Sequence, residues 1–321
     1  MPVPTPAAES YQREFEKRWH FLNDAHVRDL AWLIDSPDLL DPQAPQWQGR
    51  VATLDAPSAE IVDWLRQLDD DPSPLHDALA VQPFTRLGRY AESLMAFYFR
   101  HGGSLLAHGV QVRAEKGGTI GEFDFLLRRG EQLLHWEFAT KFYLLEPSGT
   151  GKEADYFVGP NLADTLGAKM RKIFDQQLML AQHPAALPHL PLPLKCAQAL
   201  IKGWLFYRDG DAMQTPGVSP RHCRGFWQEF SEIGALPLQS ATILPRLRWL
   251  APAKIPSEQA LDRPALTAAL EAHFAKESMP VMIAILERRG DVAVEIERGF
   301  VVPDDWRSRA GERVRRPQLL A

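Results

Sequence analysis

The sequence predicts an α/β protein: an αβββαβ core on a central mixed sheet, with an N-terminal helical extension and a C-terminal α/β elaboration. Three observations predict it. Residues 85–101 read as a helix, RLGRYAESLMAFYFRH in its greater part, apolar on nearly all sides from Leu94 to Phe99. Two apolar runs, 123–127 and 133–144, then flank the polar turn Arg128-Arg129-Gly130 as in a hairpin. Finally, a long helical stripe is followed, across a proline-rich linker, by another apolar strand at 197–207. A helix crossing between the third and fourth strands implies a right-handed connection. The units expected are therefore 1–83, 84–208 and 209–321.

Each element has its own signal. Residues 10–34 place Phe15, Trp19, Leu22 and Leu30 at spacings that suit helix, and the proline-rich segment 35–54 reads as loop. A helix over 58–68 carries Ile61, Trp64, Leu65 and Leu68 on one side, with Ser58 as N-cap. The run Asp69-Asp70-Asp71-Pro72 reads as its solvated end. Gly102-Gly103 closes the helix over 85–101, which contains Glu92 beside Arg89 and Arg86. A first strand is expected at 110–115, with Gly117-Gly118 as its turn, and 146–156 reads as an exposed loop placed for binding. Asn161 is a candidate cap, with Asp164 in the first turn, for a helix reaching about residue 182. Leu162, Leu166, Met170, Ile173, Phe174 and Leu178 form its stripe; Lys169, Arg171, Lys172 and Gln177 lie on other faces. Further on, 222–232 reads as a short helix, 241–249 as a strand, 264–276 as a helix, and 281–287 and 292–302 as strands that extend or pack on the core sheet. The arginine-rich tail, 307–316, reads as a loose solvated terminus.

Charge enters the hairpin in a pattern that chemistry can use. Along a strand, Glu122 and Asp124 share one face, while Phe123, Phe125 and Leu127 take the other. On the next strand Glu137, Ala139, Lys141 and Tyr143 share a face, opposite Trp136, Phe138, Thr140 and Phe142. One carboxylate per strand and a lysine then converge over one patch of sheet, at a cost unless paired, solvated or bound to a metal. Two readings stay open: a cation site, or a Glu137–Lys141 salt bridge with Asp124 capping a turn. Glu92 equally fits a pairing with Arg89 or Arg86.

Other chemistry is disfavoured. The chain has two cysteines, too few for a disulfide framework or a four-cysteine zinc site, and His222-Cys223 with Cys196, His183 and His189 lacks zinc spacing. GxSxG, P-loop and dinucleotide patterns do not occur, and residues 149–152, GTGK, have the wrong spacing for a phosphate loop. The nine tryptophans suit core packing better than a stacking surface. Apolar residues make up 45% of the 321, enough for a large core, yet no run approaches the roughly 20 residues needed to span a bilayer. With no secretion-signal pattern at the start, the expected setting is cytoplasmic. The formal net charge of -5 opposes whole-surface attraction to nucleic acid but leaves room for locally basic clefts.

At Gly121-Glu122-Phe123-Asp124-Phe125-Leu126 and Trp136-Glu137-Phe138-Ala139-Thr140-Lys141 the chain resembles the PD-(D/E)XK nuclease superfamily. It departs where Ala139 stands in the family's lysine position. Lys141 lies two residues on, roughly 6.6 Å along the strand and on the same face. More closely, LGRY…E, the GE-D strand, WE…KFYL and GPN…K…K…DQQL, between Leu87 and Leu178, are similar to a bacterial family in that superfamily, domain of unknown function 1853. The resemblance implies a restriction-endonuclease-like fold and hydrolysis of DNA phosphodiesters. It further implies Mg²⁺ or Mn²⁺ held by Asp124, Glu137 and Glu92, a displaced catalytic Lys141, a supporting Gln177, and contacts from Lys169, Arg171 and Lys172 to the nucleic-acid backbone. The alternative it leaves is a nuclease-fold module without catalysis that binds nucleic acid or a protein.

Overall fold

The computed structural model describes residues 10–81, 83–114, 117–146, 148, 153–208 and 214–315. Residues 149–152 and part of the expected 146–156 loop lie outside these. Residues 10–34 form two helices rather than one, α1 (Tyr11–Trp19) and α2 (Ala25–Asp35). The break falls where Asp24 turns its carboxylate onto the His26 and Val27 amides, starting α2 afresh. Ser58 caps α3 (Ala59–Asp70) as expected. The acidic run is not simply solvated, because Asp69 accepts the Asn23 and Asp24 amides, both at 2.8 Å, and so clasps the α1–α2 connection. A short α4 (Ser73–Leu79) follows Pro72, and α5 (Leu87–His101) ends at Gly103 with φ +67°.

One mixed sheet organises the molecule. It contains β1 (Leu105–Arg113), β2 (Thr119–Arg129), β3 (Gln132–Leu145), β4 (Phe157–Val158), β5 (Leu194–Tyr207) and β6 (Cys223–Glu229), then β7 (Ser240–Ile243), β8 (Lys254–Pro256), β9 (Val281–Arg289) and β10 (Val292–Val302). The order is β1-β2-β3-β5-β6-β10-β9-β7, with β4 beside β3 and β8 beside β10. Gly130, at φ +62°, makes the tight β2–β3 turn. Between β3 and β5 the chain passes through α6 (Leu166–Asp175), and the two strands pair in parallel from Leu133–Leu194 to Leu144–Phe206. The C-terminal half thus extends the same sheet through the parallel β5–β6 and β6–β10 pairs.

Both faces are covered. On one, α1, α2, α5 and the strands bury Phe99, Phe125, Phe138, Leu200 and Trp204, and Trp32 stacks on Trp204 at 6.3 Å. On the other, α6 packs Met170, Ile173 and Phe174 against Tyr143, Ile201 and Leu205. Five tryptophans, Trp19, Trp32, Trp204, Trp227 and Trp306, are fully buried, in keeping with a structural use. No helix among the described residues is long and apolar enough to cross a membrane.

Several sequence expectations are corrected. Residues 222–232 begin with strand β6, not helix: Cys223 and Trp227, four apart as on a helix, are also on one strand face, with Gly225 between them leaving room for the Phe206 ring. The strand expected over 241–249 stops at Ile243. The helix expected from Asn161 to 182 is capped by Thr165, ends at Asp175 and continues as a 3-10 segment, Gln177–Gln182. Asn161 instead accepts the Ala163 amide within a turn. The arginine tail is helical over α8 (Trp306–Arg315), anchored by buried Trp306 and Ala310 and by Arg313 donating to the Leu162 and Ala163 carbonyls. α7 (Arg263–Phe274) stands as expected.

Candidate active site

β2 and β3 pair only from Arg129–Gln132 to Phe125–Trp136; beyond that point they part. Asp124 sits at the fork, its Oδ2 accepting the Phe138 amide at 2.9 Å, so it joins the two strands where their ladder ends and does not cap a turn. Strict alternation also fails here. Phe125 and Leu127 enter the α5-side core, whereas Phe123 packs on the opposite face with Leu126 and Leu133, against the expectation that Phe123 and Phe125 lie together.

Through this fork, groups from both layers reach one cavity of about 150 Å³, lined by Glu92 of α5, Asp124, Glu137, Lys141, and Lys169 and Gln177 from the α6 side. The four residues expected from the sequence, Asp124, Glu137, Lys141 and Glu92, therefore meet. Glu137 is 1% exposed; His135 Nε2 lies 2.8 Å from its Oε1, and Gln177 donates to its Oε2 at 2.6 Å. The Glu137–Lys141 salt bridge considered from sequence does not form. The Lys141 ammonium makes no hydrogen bond or ion pair among the described residues. Beside it β5 runs flush only because position 203 is glycine, where a Cβ would overlap the Lys141 carbonyl oxygen. Glu92 does accept from Arg89 at 3.1 Å, but Arg89 also grips Glu122 at 2.7 Å, so Glu92 has an incomplete share of that charge.

Burial dominates the electrostatics. It raises Asp124 to about 7, with Glu137's charge adding, and raises Glu137 to about 7 against a hydrogen bond from Asp124, so burial disfavours the charged form of both acids. Burial and then Asp124's charge lift Glu92 to about 7. Burial and Lys169's charge bring Lys141 down to about 8, and burial also lowers Lys169. His135, fully buried and pushed down to about 4 by desolvation, is neutral, so its Nε2–H donates to Glu137 and its Nδ1 is left without a partner. Gln177 Oε1 is likewise buried and unpartnered.

The remaining predicted contacts are placed less uniformly. Lys169 faces the acids rather than open surface, Lys172 is exposed on α6, and Arg171 is held by both oxygens of Asp155 at 2.9 and 3.0 Å. Gln177, a minor candidate from sequence, is a direct partner of Glu137. His135 was missed; its only signal was its place two residues before Glu137 on the same strand face. Among the described residues no three His, Cys, Asp or Glu side chains are already gathered around a single metal position. The donors nevertheless suit a hard divalent cation: two facing carboxylates, a third across the fork, and no sulfur. His222, part of the disfavoured zinc set, is instead bonded to the Tyr207 hydroxyl at 2.7 Å.

The family model described as Domain of unknown function (DUF1853) matches residues 28–302. No curated protein and no solved structure matches the chain.

Proposed function

We propose that this chain, which belongs to the DUF1853 family, is a divalent-cation-dependent nuclease hydrolysing DNA phosphodiester bonds, with the segment from α5 to β5 as a PD-(D/E)XK-type core in a cytoplasmic protein. One observation carries the reading: Asp124 and Glu137 face each other at the β2–β3 fork, in one cavity with the unpaired Lys141. Buried like-charged acids disfavour ionisation, and a cation is the natural partner that relieves them.

Asp124 and Glu137 would hold Mg²⁺ or Mn²⁺, with Glu92 as a third oxygen donor from α5. When bound, such an ion supplies Lewis-acid polarisation of the phosphate and a more acidic water. His135 and Gln177 fix the Glu137 carboxylate from both oxygens, limiting its rotation toward the cavity. Lys141 provides positive charge against the phosphoryl oxygens, and its pKa of about 8 keeps it largely protonated at neutral pH. Lys169 adds a second cation in the same cavity, and Lys172 and Arg171 lie on the same helix for backbone contact.

A catalytically inactive binding module is the second reading, favoured by the displacement of the lysine from position 139 to 141. Incubating the folded protein with plasmid DNA and either Mg²⁺ or Mn²⁺ separates them. Nuclease action predicts cleavage that falls by about 10²-fold or more in both Asp124→Asn and Lys141→Ala while thermal unfolding stays cooperative. Folded wild-type protein that cuts neither DNA nor RNA with either ion contradicts it, and DNA binding unchanged in both variants then identifies the module.

A further inference from the structure

The acid cavity adjoins a larger groove of about 550 Å³, with Gly88, Glu92, Thr140 and Lys141 lining both. One wall is the start of α5 with Arg86, just before its first residue; the other is the 3-10 turn Arg246–Arg248 of the C-terminal half. Arg86 and Arg246 are both exposed and, among the described residues, neither guanidinium carries a hydrogen bond or an ion pair; that of Arg246 lies 5.9 Å from the Trp249 ring centre. They contrast with their neighbours, since Arg89 is taken by Glu122 and Glu92, and Arg248 by Asp29. Four cations, Arg86, Arg89, Lys141 and Arg246, thus line the groove against two carboxylates, Glu92 and Asp164, in a chain whose net charge is -5. Leu87, Trp249 and the exposed Met279 supply an apolar side.

We infer that this groove is a backbone subsite for one nucleic-acid strand, in which Arg86 and Arg246 each take a phosphate next to the one presented to Asp124 and Glu137. Guanidinium groups without an acid partner suit phosphate oxygens bidentately, and a base laid on the Met279 and Leu87 side has an apolar surface to cover. The groove's volume of about 550 Å³ is that of a drug-sized ligand, comparable to one or two nucleotides, so the segment it takes is a short stretch of one strand. The inference rests on the nuclease reading for the identity of the polymer, but it assigns the C-terminal half a part in holding substrate.

Fluorescence anisotropy of a labelled single-stranded DNA oligonucleotide, with full-length protein in a buffer containing EDTA, tests it. Arg86→Ala and Arg246→Ala are each expected to weaken binding about 5- to 10-fold and to flatten the log–log salt dependence by about 0.7 per lost phosphate contact. Arg246→Lys should recover part of the loss, and a duplex of the same sequence should bind at least about 10-fold more weakly than the single strand. Competition by inorganic phosphate alone at millimolar concentration separates a free-anion site from a strand site: displacement at equal phosphate concentration would overturn the strand assignment. Wild-type affinity in both alanine variants, equal affinity for duplex and single strand, or no binding at all would also overturn it. Failure of hydrolysis leaves these outcomes intact. Conversely, cleavage unaffected by both arginine variants would remove the subsite and keep the nuclease.

Discussion

Glu295 and Arg298, on the C-terminal half of the sheet, and Glu137, at the fork, are all essentially inaccessible to water, but their surroundings differ in kind. Arg298 donates to both Glu295 oxygens at 2.5 and 2.8 Å and to the carbonyls of Trp249, Leu250 and Ala251, while Glu295 also accepts the Ala253 amide at 2.8 Å. Every charge there has its opposite. At the fork an acid faces an acid, the Lys141 ammonium forms no ion pair among the described residues, and three buried polar atoms, His135 Nδ1, Thr140 Oγ1 and Gln177 Oε1, have no partner. The same sheet therefore shows how this chain neutralises charge when stability is the purpose, and the fork departs from that practice. Buried polar atoms without partners also occur elsewhere among the described residues, at Tyr11, Ser36 and Gln228 for example, so what sets the fork apart is that they stand beside buried acids whose charged forms burial disfavours.

The largest expected effect tests the structural side of this contrast. Glu295→Ala leaves Arg298 buried without its counter-charge and should lower unfolding stability by about 3–5 kcal/mol in urea titration. Asp124→Asn should act with the opposite sign on cation-free protein at pH 8, raising the melting temperature, because it removes an acid that burial disfavours in its charged form. Equal destabilisation by both would break the comparison.

A middle-sized effect concerns the support of Glu137. Gln177→Ala removes its 2.6 Å donor and should weaken Mn²⁺ binding by about 10-fold or more, read by calorimetry, with little change in melting temperature.

The smallest effect is a slope. Acids with native pKa values raised to about 7 bind protons more tightly folded than unfolded, so their contribution favours the native state at low pH and is lost as pH rises from the ordinary carboxylate range through about 7. The cation-free protein should therefore lose a few degrees of melting temperature between pH 5 and pH 8, and Mn²⁺ should restore them at pH 8 but not at pH 5. A slope that Asp124→Asn and Glu137→Gln leave unchanged would assign it to other groups.

Much of this was legible in the sequence for physical reasons. The β2–β3 hairpin is written in its alternation and its glycine turn, and period-two geometry brings Glu137 and Lys141 to a common cavity. The face switch between Phe123 and Phe125 was not legible, since both residues are apolar and suit either side. Cys223 and Trp227 imitate a helix because a four-residue spacing fits both periods, and only the parallel pairing with β5 decides. α8 hid behind its arginines, its anchoring resting on Trp306 and a small-residue step at Ala310 and Gly311. His135 carried no distinguishing pattern because its role depends on the rotamer of Glu137 and on the depth of burial, both properties of the folded chain.

Isothermal titration of Mn²⁺ into the wild type, Asp124→Asn and Glu137→Gln at pH 8 tests the central claim most directly. One saturable site in the wild type, lost in both variants while their melting curves stay cooperative, is the predicted result; identical binding in all three, or none in the wild type, contradicts it.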